Sequence, residues 1–157
     1  MATRTIADIE KIWSNVEGVK KLSDRAVGVG PFGIGLDGLL TWVPVVGTVY
    51  SVGAAGWLLM QGLRARATPG TMARMIGYLG FDVGTTLTGE VIPVAGDVID
   101  VLFPGHLMAA KALQKDIQST HWVEASARDA RASGDHERHL QTMRADQKLK
   151  RVVYLHD

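Results

Sequence analysis

Apolar residues open the chain at helical spacing. Ile6, Ile9, Trp13, Val16, Val19 and Leu22 recur every three or four positions, with charged residues between them. This predicts an amphipathic helix within residues 1–27. Thr5 is placed as its N-cap and Asp8, three residues on, completes a capping box. Such a helix either packs on its own protein or lies in a membrane interface with Lys20 and Lys21 at the headgroups. With Asp8, Glu10, Glu17 and Asp24 it is not expected to be a secretory signal.

The pattern then changes from periodic to continuous. Residues 38–63 carry no charge, and as one helix they would reach about 39 Å, beyond a hydrocarbon core of roughly 30 Å. Pro44 and Gly47 interrupt a simple span. A second apolar stretch, residues 72–103, contains Asp82, Glu90, Asp97 and Asp100; carboxylates at membrane depth are costly and face protein or water. All but Gly18 and Gly134 of the 18 glycines lie in residues 28–105. The Gly80-x-x-x-Gly84 spacing predicts close helix packing.

The two stretches resemble each other. Gly35-Leu36-Asp37 followed by Val43-Pro44-Val45-Val46-Gly47-Thr48 is echoed by Gly80-Phe81-Asp82 and then Ile92-Pro93-Val94-Ala95-Gly96-Asp97. Each unit reads as helix, break, helix, with Pro44 and Gly47, then Pro93 and Gly96, at the breaks. Asp97 and Asp100 sit at N-cap and N3 of the following helix, or form a carboxylate site for a metal or polar headgroup. Cations before, between and after the units (Lys20 to Arg25, Arg64 to Arg74, Lys111 and Lys115) stay on one side if each unit dips in and returns. Two kinked full spans satisfy the same pattern; re-entrant hairpins are the reading adopted.

The run from Leu22 to Leu40 with Pro44-x-x-Gly47, and the second unit from Phe81-Asp82 through Ile92-Pro93-Val94-x-Gly96-Asp97-x-x-Asp100, resemble the bacterial domain-of-unknown-function family numbered 4112. The resemblance covers about residues 20–116. Asp24, Asp37, Asp82, Asp97 and Asp100 occupy positions where that family usually shows Asp. The first turn departs from the family, reading Gly47-Thr48 where Gly-Asp is typical. The resemblance implies the paired broken-helix units and assigns no activity.

Composition narrows the chemistry. The 157 residues balance 17 Lys+Arg against 16 Asp+Glu for a net charge of +1, and there are no cysteines. A strongly basic nucleic-acid binder, a disulfide framework, a cysteine nucleophile and a thiolate metal site are thereby excluded. The chain has no Gly-x-x-x-x-Gly-Lys loop and no His-Glu-x-x-His. Gly28-Val-Gly30-Pro-Phe-Gly33 has proline in the middle of a dinucleotide-like spacing. Among the histidines, His136 and His139 stand three apart on a predicted helix and read as a solvated face. His106 reads as an interfacial cap.

The expected fold class is all-α, an integral membrane protein of two Gly/Pro-broken helical hairpins in tandem, flanked by amphipathic N- and C-terminal helices. Residues 1–27 form the first helix, residues 28–116 the embedded repeat (units about 30–63 and 72–116), and residues 117–157 a polar helical arm broken at Ser133-Gly134-Asp135. The expected function is non-enzymatic, by association, as an accessory or scaffolding subunit of a membrane complex or as a homo-oligomer. The alternative is a small ion channel or carrier using Asp37, Asp82 and Glu90, with a lipid-handling enzyme using Asp97 and Asp100 behind it. Expected partners are membrane lipids and other membrane subunits or the chain itself, with no nucleic acid. No metal or cofactor is expected, a bound lipid or pigment being compatible with the pattern. The expected location is the bacterial inner membrane with both termini on the cytoplasmic side.

Overall fold

The computed structural model describes residues 4–27, 44–88 and 104–157. Helix α1 (Ile6–Val27) begins at the expected capping box. Thr5 donates to Asp8 Oδ2 from its backbone N–H at 2.9 Å and its hydroxyl at 3.0 Å, and the Asp8 N–H returns a bond to Thr5 Oγ1 at 3.2 Å. Ile9, Ile12 and Val16 are buried, so this part of the apolar stripe is spent on the protein's own core.

Helices α2 (Pro44–Arg64) and α3 (Pro69–Thr88) make a hairpin, and α4 (Pro104–Gln118) packs on α1, α2 and α3. Bonds at one end fix the directions. The Ile6 N–H meets Glu124 beyond α4, whereas Gln114 Nε2 reaches Glu17 further along α1 at 2.7 Å, so α1 and α4 run antiparallel. The core is Ile9, Ile12, Val16, Ala55, Leu58, Ala65, Met75, Leu79, Ala109, Ala110, Leu113 and Ile117, closed by Leu155. Fully buried Ala109 and Ala110 let neighbouring helices approach the α4 backbone closely.

The reversal from α2 to α3 is a Schellman motif. The Ala67 N–H bonds to the Gly62 carbonyl at 2.9 Å and the Arg66 N–H to the Leu63 carbonyl at 3.1 Å. The left-handed position is Arg66, φ 47°, where glycine is usual. Its guanidinium offsets that strain by donating to the carbonyls of Tyr154, at 2.8 Å, and Asp157. Just before the turn, a Cβ on Gly62 would meet Met72 Sδ at 2.8 Å, so a side chain there would require the flexible Met72 to shift.

The C-terminal residues form a second layer on this end. Strand β1 (Thr120–Val123) pairs in parallel with β2 (Arg151–Tyr154), Thr120 opposite Arg151 and Val123 opposite Tyr154. Parallel strands require a crossover, here α5 (Ala127–Ser133) and α6 (Asp135–Ala145), with Gly134 at φ 81° between them at the expected break. Alternation splits the ribbon into two faces. Thr120, Trp122 and Arg151 face the helical core, Trp122 Nε1 donating to the Ile117 carbonyl at 3.1 Å. Val123, Val152 and Tyr154 face outward and pack with Ala127 and Ala130 of α5.

These observations correct the membrane fold. Among the described residues no helix is long and apolar enough to cross a membrane; the structure is mostly helical with a short strand pair. Two physical reasons account for it. The described part of the uncharged run lies in α2, where its apolarity is diluted by Gly47, Gly53, Gly56, Gly62 and Gln61. One side of α2 is also used inside the chain, where Ala55, Leu58 and Ala65 are buried. The reversal lies at residues 65–68, inside the expected connector, whereas Pro44 heads a helix and Gly47 lies in its first turn. Proline suits that place because its missing N–H has no helical partner to lose. The C-terminal arm, expected to be helical, contains the two strands.

Candidate functional site

Three groupings of side chains stand out, and they differ in chemistry. The first is apolar. On α2, Val52, Met60 and Leu63 face outward, with Gly53 and Gly56 beside them; on α3, Ile76 and Phe81 do so, with Gly77 and Gly80. Met60, Leu63, Ile76 and Phe81 are 53%, 66%, 56% and 65% exposed. A Cβ placed on any of those four glycines would meet nothing within 4 Å. Both helices therefore present large side chains next to flat, open backbone. The inner face of α3 is closed by Met75 and Leu79, and its exposed side combines Ile76, Phe81 and open glycines with Arg74.

The second grouping is polar and inside. Asp116, 8% exposed near the end of α4, accepts the Thr68 N–H at 3.0 Å, the Thr68 hydroxyl at 3.0 Å, the Thr71 hydroxyl at 3.1 Å and Arg151 Nη2 at 2.8 Å. Thr68 is also the N-cap of α3, its Oγ1 accepting the Thr71 N–H at 3.2 Å. Arg151 Nε donates to Thr120 Oγ1 at 2.9 Å, and Thr120 Oγ1 donates to the Asp116 carbonyl at 2.7 Å. The Asp116 carboxylate thus joins α4 to the head of α3 and to β2, and its backbone carbonyl holds β1 through Thr120. A buried charge with this many partners is structural; each partner compensates for lost water.

The third grouping is imidazole-rich. His121 on β1 and His139 on α6 face each other, Nε2 to Nδ1, at 3.1 Å. His136 Nδ1 lies 2.7 Å from the Tyr154 hydroxyl. Partial burial first, and the neighbouring His139 second, lower the His121 pKa from its ordinary 6.5. Among the described residues no group of three or more His, Cys, Asp or Glu is placed to hold a metal ion.

The sequence-predicted residues fall as follows. Asp37, Glu90, Pro93, Gly96, Asp97 and Asp100 lie outside the described residues. Asp82 and Gly84 lie in α3. Gly80 is exposed, with open space where a Cβ would stand. His106 is buried in the first turn of α4 and has a partner within the chain. His136 and His139 belong to one junction, with Tyr154 and His121 respectively, rather than to a bare solvated face. Sequence reading missed Asp116, Arg151 and His121. Thr68-Pro69-Gly70-Thr71 was a legible helix start, but no local pattern tied it to a carboxylate 48 positions away.

The class defined by this arrangement is a small helical protein whose core helices carry an added strand-and-helix layer at one end. The chain belongs to the family described as Domain of unknown function (DUF4112), whose model matches residues 12–117. The matched span includes α2, α3 and nearly all of α4, while the ribbon, α5 and α6 lie beyond it. No curated protein and no solved structure matches the chain.

Proposed function

We propose that the protein works by association rather than by catalysis, and that the outward faces of α2 and α3 are where its partner sits. The observation that carries this reading is the exposure of Met60, Leu63, Ile76 and Phe81 on two neighbouring helices. Large apolar side chains grouped on a surface mark interaction sites, whereas scattered ones do not. A second copy of the chain is the partner this surface suits best. A twofold interface must complement itself, and here projecting side chains alternate with recessed glycines on the same helices. Other subunits and lipid remain competing occupants that experiment separates.

The chain has no cysteine, so single introduced thiols report proximity cleanly. Gly56→Cys and Gly80→Cys, at positions with room for a side chain, should form intermolecular disulfides under mild oxidation. Arg128→Cys on exposed α5 should not. Equal cross-linking at all three sites, or none at the two glycine positions, would remove the self-association reading. Co-sedimentation of uncross-linked protein with vesicles would move lipid to the front.

A further inference from the structure

The ribbon is held on its two sides by different chemistry, and one side is sensitive to protons. On the core side its bonds run to Asp116, Thr120 and the Ile117 carbonyl, none of them an imidazole. On the outer side His121 of β1 meets His139 of α6 at 3.1 Å. A neutral imidazole has one N–H and one bare nitrogen, and an imidazolium has two N–H groups. The facing nitrogens can therefore share one proton but cannot both carry one. The contact between His136 and Tyr154 behaves otherwise. A phenol hydroxyl both donates and accepts, so it can donate to neutral His136 or accept from the protonated ring. Protonation breaks one junction contact and spares the other.

We infer that the contact between α6 and β1 is a proton-operated latch, closed while His121 and His139 share a single proton and released when both are protonated, with the start of α6 still tethered by His136 to Tyr154. Release frees α6 from β1, while Val123, Val152 and Tyr154 keep their packing against Ala127 and Ala130 of α5. The charges around the pair do not cancel the effect. On α6, Asp135 is already engaged by Arg138, one turn on. On the His136 side, Arg66, Arg131 and Asp157 line the cleft that also contains Tyr154, and Arg151 lies on the far face of the ribbon over Trp122, 6.0 Å from its ring centre. Arg138 and Arg151 are each paired with a carboxylate, Asp135 and Asp116, so the added proton enters a neighbourhood close to charge balance. The lowered pKa of His121 has the matching sign.

Hydrogen exchange on the full chain between pH 7.5 and 5, corrected for intrinsic rates, tests this. Opening of residues 139–145 should increase on acidification by up to about tenfold per pH unit, the slope for one extra proton bound in the open form. Residues 104–118 should not follow. His121→Gln keeps a neutral donor opposite His139 and should abolish the slope. Unchanged protection of α6 in the wild type, or the same loss in His121→Gln, overturns the latch. Should that variant fail to fold, an imidazole titration of the wild type by NMR decides: His121 must titrate below its ordinary 6.5, and titration of His121 at that value contradicts the inference.

Discussion

Helix α4 and the α2–α3 hairpin invert the usual distribution of residues in opposite directions. Helix α4 takes polar groups inside, burying His106, Gln114 and Asp116 beside Ala109, Ala110 and Leu113. The hairpin leaves apolar groups outside, on the faces opposite Leu58, Met75 and Leu79. A buried polar group costs free energy unless it is bonded, and those of α4 act as joints: Asp116 ties three parts of the chain together. Among the described residues the exposed apolar groups of the hairpin have no such compensation. The lesson is that α4 is organised by bonds the described chain supplies, whereas the hairpin surface is the part for which a partner is proposed.

The largest effect should come from Asp116→Ala. It strands the Arg151 guanidinium and the Thr68 N–H at once, and breaking a buried pair costs about 3–5 kcal/mol. Chemical denaturation should show that loss, with detachment of the ribbon; a loss confined to tenths would mean water replaces the carboxylate easily. Next comes the contrast within α2 itself. Leu58→Ala, on the fully buried face, should lower unfolding free energy by about 2–5 kcal/mol. Leu63→Ser, one and a half turns on but exposed, should change monomer stability by less than about 0.5 kcal/mol. Equal effects would show that the outer face is covered within the chain, and would break the comparison.

The smallest effect is the pH dependence. The His121 pKa is lowered in the folded state, so the unfolded chain binds more protons just below 6.5. Its contribution is fully present above that value and is lost as pH falls through the folded pKa. Urea midpoints should therefore decline from pH 7 toward pH 5, and the decline should flatten in His121→Gln. An unchanged midpoint in that window would remove the group from the balance.

Much of the helical part was legible in the sequence. The α1 stripe and its Thr5–Asp8 cap were visible because both are local, and so was the break at Gly134, which needs only a residue tolerant of a left-handed backbone. Family membership was legible from the paired Pro-x-x-Gly turns. The destination of the apolar residues was not. A charge-free run has the same composition whether it faces lipid, a partner or its own core, and only the packing of Ala55, Leu58 and Ala65 against α3 and α4 decides. The two strands were invisible for a different reason: each has four residues, and their pairing joins positions about thirty apart. Asp116 and His121 likewise acquire their roles from contacts across the chain, which no spacing rule encodes.

The central claim is that the outer faces of α2 and α3 are made for a partner, a second copy of the chain first. Sedimentation equilibrium of the wild type beside the Leu63→Ser, Phe81→Ser double variant tests it most directly. The account predicts a concentration-dependent oligomer for the wild type and a monomer for the variant, with the same unfolding midpoint for the isolated chain. A wild type that stays monomeric up to its solubility limit, or a variant that associates equally well, would contradict it.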